Sequence, residues 1–177
     1  VRRTGGAQAK MLALTFDDGP DATWTPKILS VLEQHHVPGT FFVIGENALE
    51  HPGLLQRIVA DGDEIGNHSY SHPNLATWSD ESTRLELNAT QRLVQAYTGR
   101  SMKLFRAPYF GDAEPTTADE LGPALAAQKA GYTVVGLHVD PNDWQRPGTD
   151  TIVRQVIDQV HAADAERSGN ILSLIHI

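Results

Sequence analysis

Residues 12–26 read LALTFDDGPDATWTP. An apolar run ends there on two adjacent carboxylates, Asp17 and Asp18, then turns through Gly19-Pro20 into a helix start. In a strand–turn–helix unit of this kind, the strand delivers its last polar side chains to the carboxyl edge of a parallel sheet, where functional groups of α/β folds collect. Two carboxylates at that edge suit a metal ion, a general base, or both.

Outward from this stretch the same unit recurs. Short apolar runs lie at 11–16, 40–44, 64–66, 103–105, 133–139 and 171–174. They are β-branched or aromatic and mostly lack strict alternation, as expected of parallel strands buried on both faces. Helix signals fall between them. Thr25-Pro26 reads as an N-cap and first helical residue, with Ile28, Leu29 and Leu32 as the apolar face. His51-Pro52 repeats that start, with Leu54, Leu55, Ile58 and Val59 inward and Gly62 as a stop. Ser79 caps a long helix whose expected apolar face is Leu85, Ala89, Leu93 and Ala96, closed by Gly99. Further helices are predicted at 116–129 and 149–163. The alternation predicts a single α/β domain with a parallel sheet; on pattern alone it suits an open sheet and a closed barrel equally.

The chain has 177 residues, enough for one domain with a proper core. With 22 acidic against 14 basic residues its net charge is −8, which argues against nucleic acid or an anionic membrane as the main partner and is compatible with a neutral substrate. It has no cysteine, hence no disulfide and no thiolate ligand. No apolar run is long enough to span a bilayer, and no signal peptide is present. A start at Val1 that runs almost at once into a strand reads as a piece of a longer protein.

The residues after each apolar run carry the chemistry. They are Asp17-Asp18; Asn67-His68-Ser69-Tyr70-Ser71-His72; Arg106-Ala107-Pro108-Tyr109; and Asp140-Pro141-Asn142-Asp143-Trp144. His68 and His72, four apart, are predicted to share one face of a helical turn within reach of one ion. With a carboxylate they leave coordination positions open, as catalytic sites do. Zinc suits this set best, with other divalent first-row metals also compatible. Each element alone has a plainer reading. Asp-Asp-Gly-Pro is commonly a turn, one HxxxH among eight histidines is weak, Arg106 suits a surface and Trp144 a core. His35 and His36 close a helix, His51 starts one, and His138 and His161 have no partner pattern. Their coincidence at strand ends favours a site.

These motifs, TFDDGP, HSYSH, RAPY and DPNDW in this order, resemble the polysaccharide deacetylases, a carbohydrate esterase family related to the chitooligosaccharide deacetylases of root-nodule bacteria. GTFFVIGENA and DGDEIGNHSYSHPNL extend the similarity between motifs, so that it runs from about Lys10 to Ile171. The resemblance implies a distorted (β/α) barrel of about seven parallel strands. It implies metal-dependent removal of acetyl groups from N-acetylated or O-acetylated sugars, N-acetylglucosamine polymers being preferred by family frequency. It implies Asp18, His68 and His72 as metal ligands and Asp17 as general base. Arg106 is then the residue that tethers the base and Asp143 the one that holds the arginine. Tyr109 would offer a backbone N–H to the oxyanion, while Trp144, Tyr109 and Pro108 would line the substrate groove. The ion is Zn2+ by expectation, with Co2+, Ni2+, Mn2+ and Fe2+ as alternatives. An extracellular, cell-wall or periplasmic location follows from the same likeness.

The end of the chain departs from the family. A final-strand histidine acts there as general acid, and His176 in GNILSLIHI is the candidate. It falls one residue later than the family spacing, and a one-residue slip turns a strand side chain to the opposite face. LSLIHI is also what a transposon-end sequence used in library preparation encodes. The expected organisation is therefore an N-terminal extension at 1–9, the deacetylase domain at 10–171 and a non-native tail at 172–177. The segment FGDAEPTTADELGP after Tyr109 resembles deacetylase domains fused to membrane glycosyltransferases, implying a fragment of such a protein.

Other classes fit less well. Aspartyl phosphoryl transfer separates its two aspartates by one residue and has no use for HxxxH. Non-haem iron oxygenases place the carboxylate just after the first histidine. A catalytically impaired glycan-binding module of the same fold remains the alternative, and would bind glycan without releasing acetate.

Overall fold

The computed structural model describes residues 11–109, 117–166 and 171–177. The expected extension at 1–9 and residues 110–116 of the segment after Tyr109 lie outside them. Among the described residues β1 (Leu12–Asp17), β2 (Gly39–Val43), β3 (Glu64–Asn67), β4 (Leu104–Phe105), β5 (Thr133–Val134) and β6 (Ile171–His176) form one sheet in the order β5-β4-β3-β2-β1-β6. Every pairing is parallel. An isolated parallel bridge from Val139 to Ser173 ties the segment after β5 to β6, so the sheet curls towards closure as a distorted barrel. The single strand expected at 133–139 is thereby corrected. Val134 pairs with β4 whereas Val139 meets β6, and the residues between must cross from one edge to the other.

Helices α1 (Trp24–His35), α2 (Gly45–Glu50), α3 (Pro52–Ala60), α4 (Asp80–Thr98), α5 (Ala118–Lys129) and α6 (Thr149–Glu166) join the strands. Phe16 and Phe41 stack at 5.0 Å between ring centres in a core that includes Leu29, Leu55, Leu87 and Phe105.

Two local expectations are corrected, and one short helix was not expected. Helix α1 begins before Thr25: Asp21 Oδ1 accepts the N–H groups of Thr23 (2.8 Å) and Trp24 (2.7 Å), while buried Thr25 takes the N–H of Asp21 at 2.8 Å. Pro26 then sits in the first turn, where no helical donor is lost. Helix α2, six residues long, is too short to show a period. The inward face of α4 is Thr83, Leu87, Thr90 and Val94; Leu85, expected inside, is 63% exposed. Thr90 enters the core because its hydroxyl donates to Ser69 O at 2.9 Å, so a polar-looking position holds an inward place.

Candidate active site

The carboxyl ends of the strands converge on one rim. β1 ends on Asp17, and Asp18 follows in the left-handed region (φ 73). That backbone reversal lets consecutive carboxylates face one site instead of opposite sides of the strand. The turn is held from both flanks: Asn47 Nδ2 donates to Asp18 O at 2.7 Å, Ile44 N–H to Gly19 O at 2.9 Å, and Ile177 N–H to Asp17 O at 3.0 Å.

His68 directly follows β3. Its Nδ1 lies 2.8 Å from Arg106 O; a carbonyl only accepts, so Nδ1 carries the proton and Nε2 presents its lone pair to the site. His68 Nε2 stands 3.4 Å and His72 Nε2 3.2 Å from Asp18 Oδ1, and the two imidazole centres are 5.0 Å apart. The helical turn expected to pair them is absent. Residues 68–72 form a loop with Ser69 (φ 68) and His72 (φ 55) left-handed, which converges the rings by backbone reversal.

Asp18 Oδ1 is buried with no hydrogen-bond partner, and the three ligand atoms lie within 4.8 Å of one another. An orphaned buried oxygen faced by two imidazole Nε2 atoms fits a divalent cation with nitrogen and oxygen ligands.

Behind this trio lies Arg106, fully buried at 0% exposure. Its Nη1 donates to Asp17 Oδ1 at 2.7 Å and Thr15 Oγ1 at 2.9 Å, and Nη2 to Gly136 O at 2.9 Å. The guanidinium also rests over the Phe42 ring at 4.3 Å. Burial lowers the Arg106 pKa while Asp17, and less so Asp140, oppose that. Arg106 therefore tethers Asp17. Thr15 and Gly136, which carry no charge to mark them in the sequence, are its other hydrogen-bond partners.

Asp143 does not hold the arginine. Its Oδ2 accepts the backbone N–H of His176 at 2.8 Å and its Oδ1 lies 2.9 Å from His176 Nδ1. The expectation that His176 turns away is corrected with it: β6 pairs with β1 so that Asp17 is opposite His176. The imidazole is raised above its ordinary pKa; burial opposes this, but the Asp143 hydrogen bond and charge prevail, helped by Asp18 and Asp17.

Tyr109 is left-handed (φ 66), 68% exposed, with its ring 4.8 Å from that of His72. Trp144 is 61% exposed rather than core. Pro108, between Arg106 and Tyr109, is buried.

Residues 4–135 match the polysaccharide deacetylase family. Over 172 residues the chain is 40% identical to a chitooligosaccharide deacetylase of Sinorhizobium fredii, covering 96% of this chain and 73% of that protein. It superimposes on a solved peptidoglycan N-acetylglucosamine deacetylase in complex with an N-oxidanyl-benzamide with TM-score 0.82 and 35% identity, over 97% of this chain and 74% of that one. A pseudoenzyme of carbohydrate esterase family 4 from Bacillus anthracis is also similar, with TM-score 0.81 and 29% identity, over 96% of this chain and 56% of that one.

Proposed function

The chain belongs to the polysaccharide deacetylase family, and from that premise we propose that it is a metal-dependent hydrolase that removes N-acetyl groups from an N-acetylglucosamine polymer. The observation that carries this reading is the buried, unpartnered Asp18 Oδ1 facing His68 Nε2 and His72 Nε2. These three side chains would hold one divalent ion, Zn2+ by its preference for imidazole and carboxylate donors. Such an ion supplies Lewis acidity towards the acetyl carbonyl and eases deprotonation of water. The hydroxamic acid bound to the peptidoglycan deacetylase relative is a bidentate oxygen donor, consistent with that chemistry.

The remaining steps belong to the protein. Asp17 accepts the proton of the attacking water, its carboxylate aimed by Arg106 at 2.7 Å. The Tyr109 N–H faces the developing oxyanion. His176, kept protonated by Asp143, donates to the departing amine as the C–N bond breaks. The products are acetate and a glucosamine unit. Exposed Trp144 and Tyr109 offer ring faces on which a pyranose stacks. Chitin oligomers and peptidoglycan are the substrates favoured by the relatives' own activities, and an extracellular or cell-wall setting goes with them. No described helix is long and apolar enough to cross a membrane.

Acetate release from N-acetylchitooligosaccharides by the zinc-loaded chain, with a chelator-treated sample beside it, tests the proposal. Chelator-sensitive acetate is the expected result. Likeness to a pseudoenzyme favours one other reading, a glycan-binding module. Glycan binding with no acetate from any N-acetylated polymer would select it.

A further inference from the structure

We propose that Glu86 of α4 is a positioning residue whose carboxylate shapes the loop between His68 and His72 and so sets how the two imidazoles meet an ion. This inference rests on the reading of Asp18, His68 and His72 as metal ligands. Glu86 Oε2 accepts the N–H groups of Tyr70 and Ser71, each at 2.8 Å, and Oε1 accepts the Ser71 hydroxyl at 3.0 Å. One carboxylate thus takes three charge-assisted bonds from the two residues in the middle of the loop. The opposite side of the loop is held by α2, whose Gly45 and Glu46 N–H groups donate to the carbonyls of Ser69 (3.0 Å) and Tyr70 (2.9 Å).

The loop needs such a clamp. Ser69 and His72 both lie in the left-handed region, which L-residues hold only where their surroundings over-determine it. Asn67 Oδ1 accepts the Ser69 N–H at 2.9 Å and Ser69 Oγ the His72 N–H at 3.1 Å, but both bonds are internal to the segment. Glu86 fastens its middle to the scaffold. Ser71 is exposed and Tyr70 half-buried, so water can replace the carboxylate if it is removed. The fold then survives while the loop relaxes, and the affinity for metal falls without loss of any ligand. Partners one step behind metal ligands act in this way, typically at 10–100-fold in affinity.

Zinc affinity by competition with a chromophoric chelator, the visible spectrum of the Co2+ form and the melting temperature of the metal-free protein are measured together. Wild type is expected to bind one equivalent. Glu86→Ala should bind zinc about 10–100-fold more weakly and shift the Co2+ bands, with the metal-free melt nearly unchanged. Glu86→Gln should restore both, because its Oε1 still accepts the two N–H groups while its amide donates to Ser71 Oγ. If Glu86→Ala unfolds, Glu86→Gln carries the test alone, through wild-type-like affinity and spectrum. Wild-type affinity and spectrum in a folded Glu86→Ala overturn the proposal, as does a Glu86→Gln protein as weak as the alanine variant. A wild-type chain that binds no zinc overturns this proposal together with the metal reading, a result that no behaviour of the Glu86 variants mimics.

Discussion

Asp17 and Asp18 are neighbours whose environments differ. Asp17 is buried against a guanidinium, whereas Asp18 turns through φ 73 to meet two imidazoles. Replacing Asp17 by Asn keeps the shape and removes the basic oxygen. Turnover should fall by at least about 10²–10⁴-fold with zinc content near one equivalent by atomic absorption. Loss of the metal in that variant would refute the division of roles. At the other side of the rim, the pKa of His176 is raised chiefly through Asp143 once burial is overcome. A raised folded value means that the pair's stabilisation is complete below the unfolded value of ~6.5 and is lost as pH rises through the folded one. Asp143→Asn should therefore be less stable than wild type near about pH 6 and close to it at alkaline pH, by urea melts. If His176 is the acid, the alkaline limb of the kcat profile should also move to lower pH in this variant; an unmoved limb would remove His176 from that role.

Elements decide where these side chains stand. The N-terminus of α2 approaches the loop so closely that a Cβ on Gly45 would lie 2.2 Å from Tyr70 Cδ2 and 2.7 Å from Thr90 Oγ1. Gly45→Ala should cost about 1–3 kcal/mol by overpacking, measured by urea denaturation, and weaken zinc binding because Tyr70 must yield. An alanine variant with unchanged stability and affinity would mean that the contact relaxes freely. Most elements were legible as patterns: the strands from short β-branched runs, α4 from Ser79, which accepts the Ser82 N–H at 3.1 Å, and from Gly99 at φ 71. The face of α4 was not, because Thr83 and Thr90 count as polar although both are buried, Thr90 with its hydroxyl bonded to Ser69 O. Nor was α2, whose first donors are satisfied by residues of a distant loop.

For the molecule as a whole, β6 brings the chain's end beside β1, where the Thr15 hydroxyl bonds Ser173 O while accepting from Arg106. The site is thus assembled from the ends of β1, β3, β4, β5 and β6 rather than from any one segment. An ion bound across it stabilises the folded state alone. Zinc at about 100 times its Kd should add about 2.7 kcal/mol, raising the Tm by roughly 5–10 °C for a domain of this size, and chelator should reverse the shift in calorimetry. A folded protein whose melt ignores zinc would contradict the metal reading.

Fold class and most candidate residues follow from local rules that any sequence carries: period, caps, turn residues, and the tendency of polar groups to gather where parallel strands end. TFDDGP and HSYSH therefore pointed to Asp18, His68 and His72 as candidate ligands, and the fold brings the three together. Partner choice obeys no local rule. That Asp143 grips His176 and not Arg106, that His68 and His72 meet across a left-handed loop and not a helical turn, and that His176 faces the rim all depend on the registers of β6 and β1 and on groups far apart in the chain. Hydrogen-bond geometry settles them over distances of a few ångströms, which spacing along the sequence does not encode.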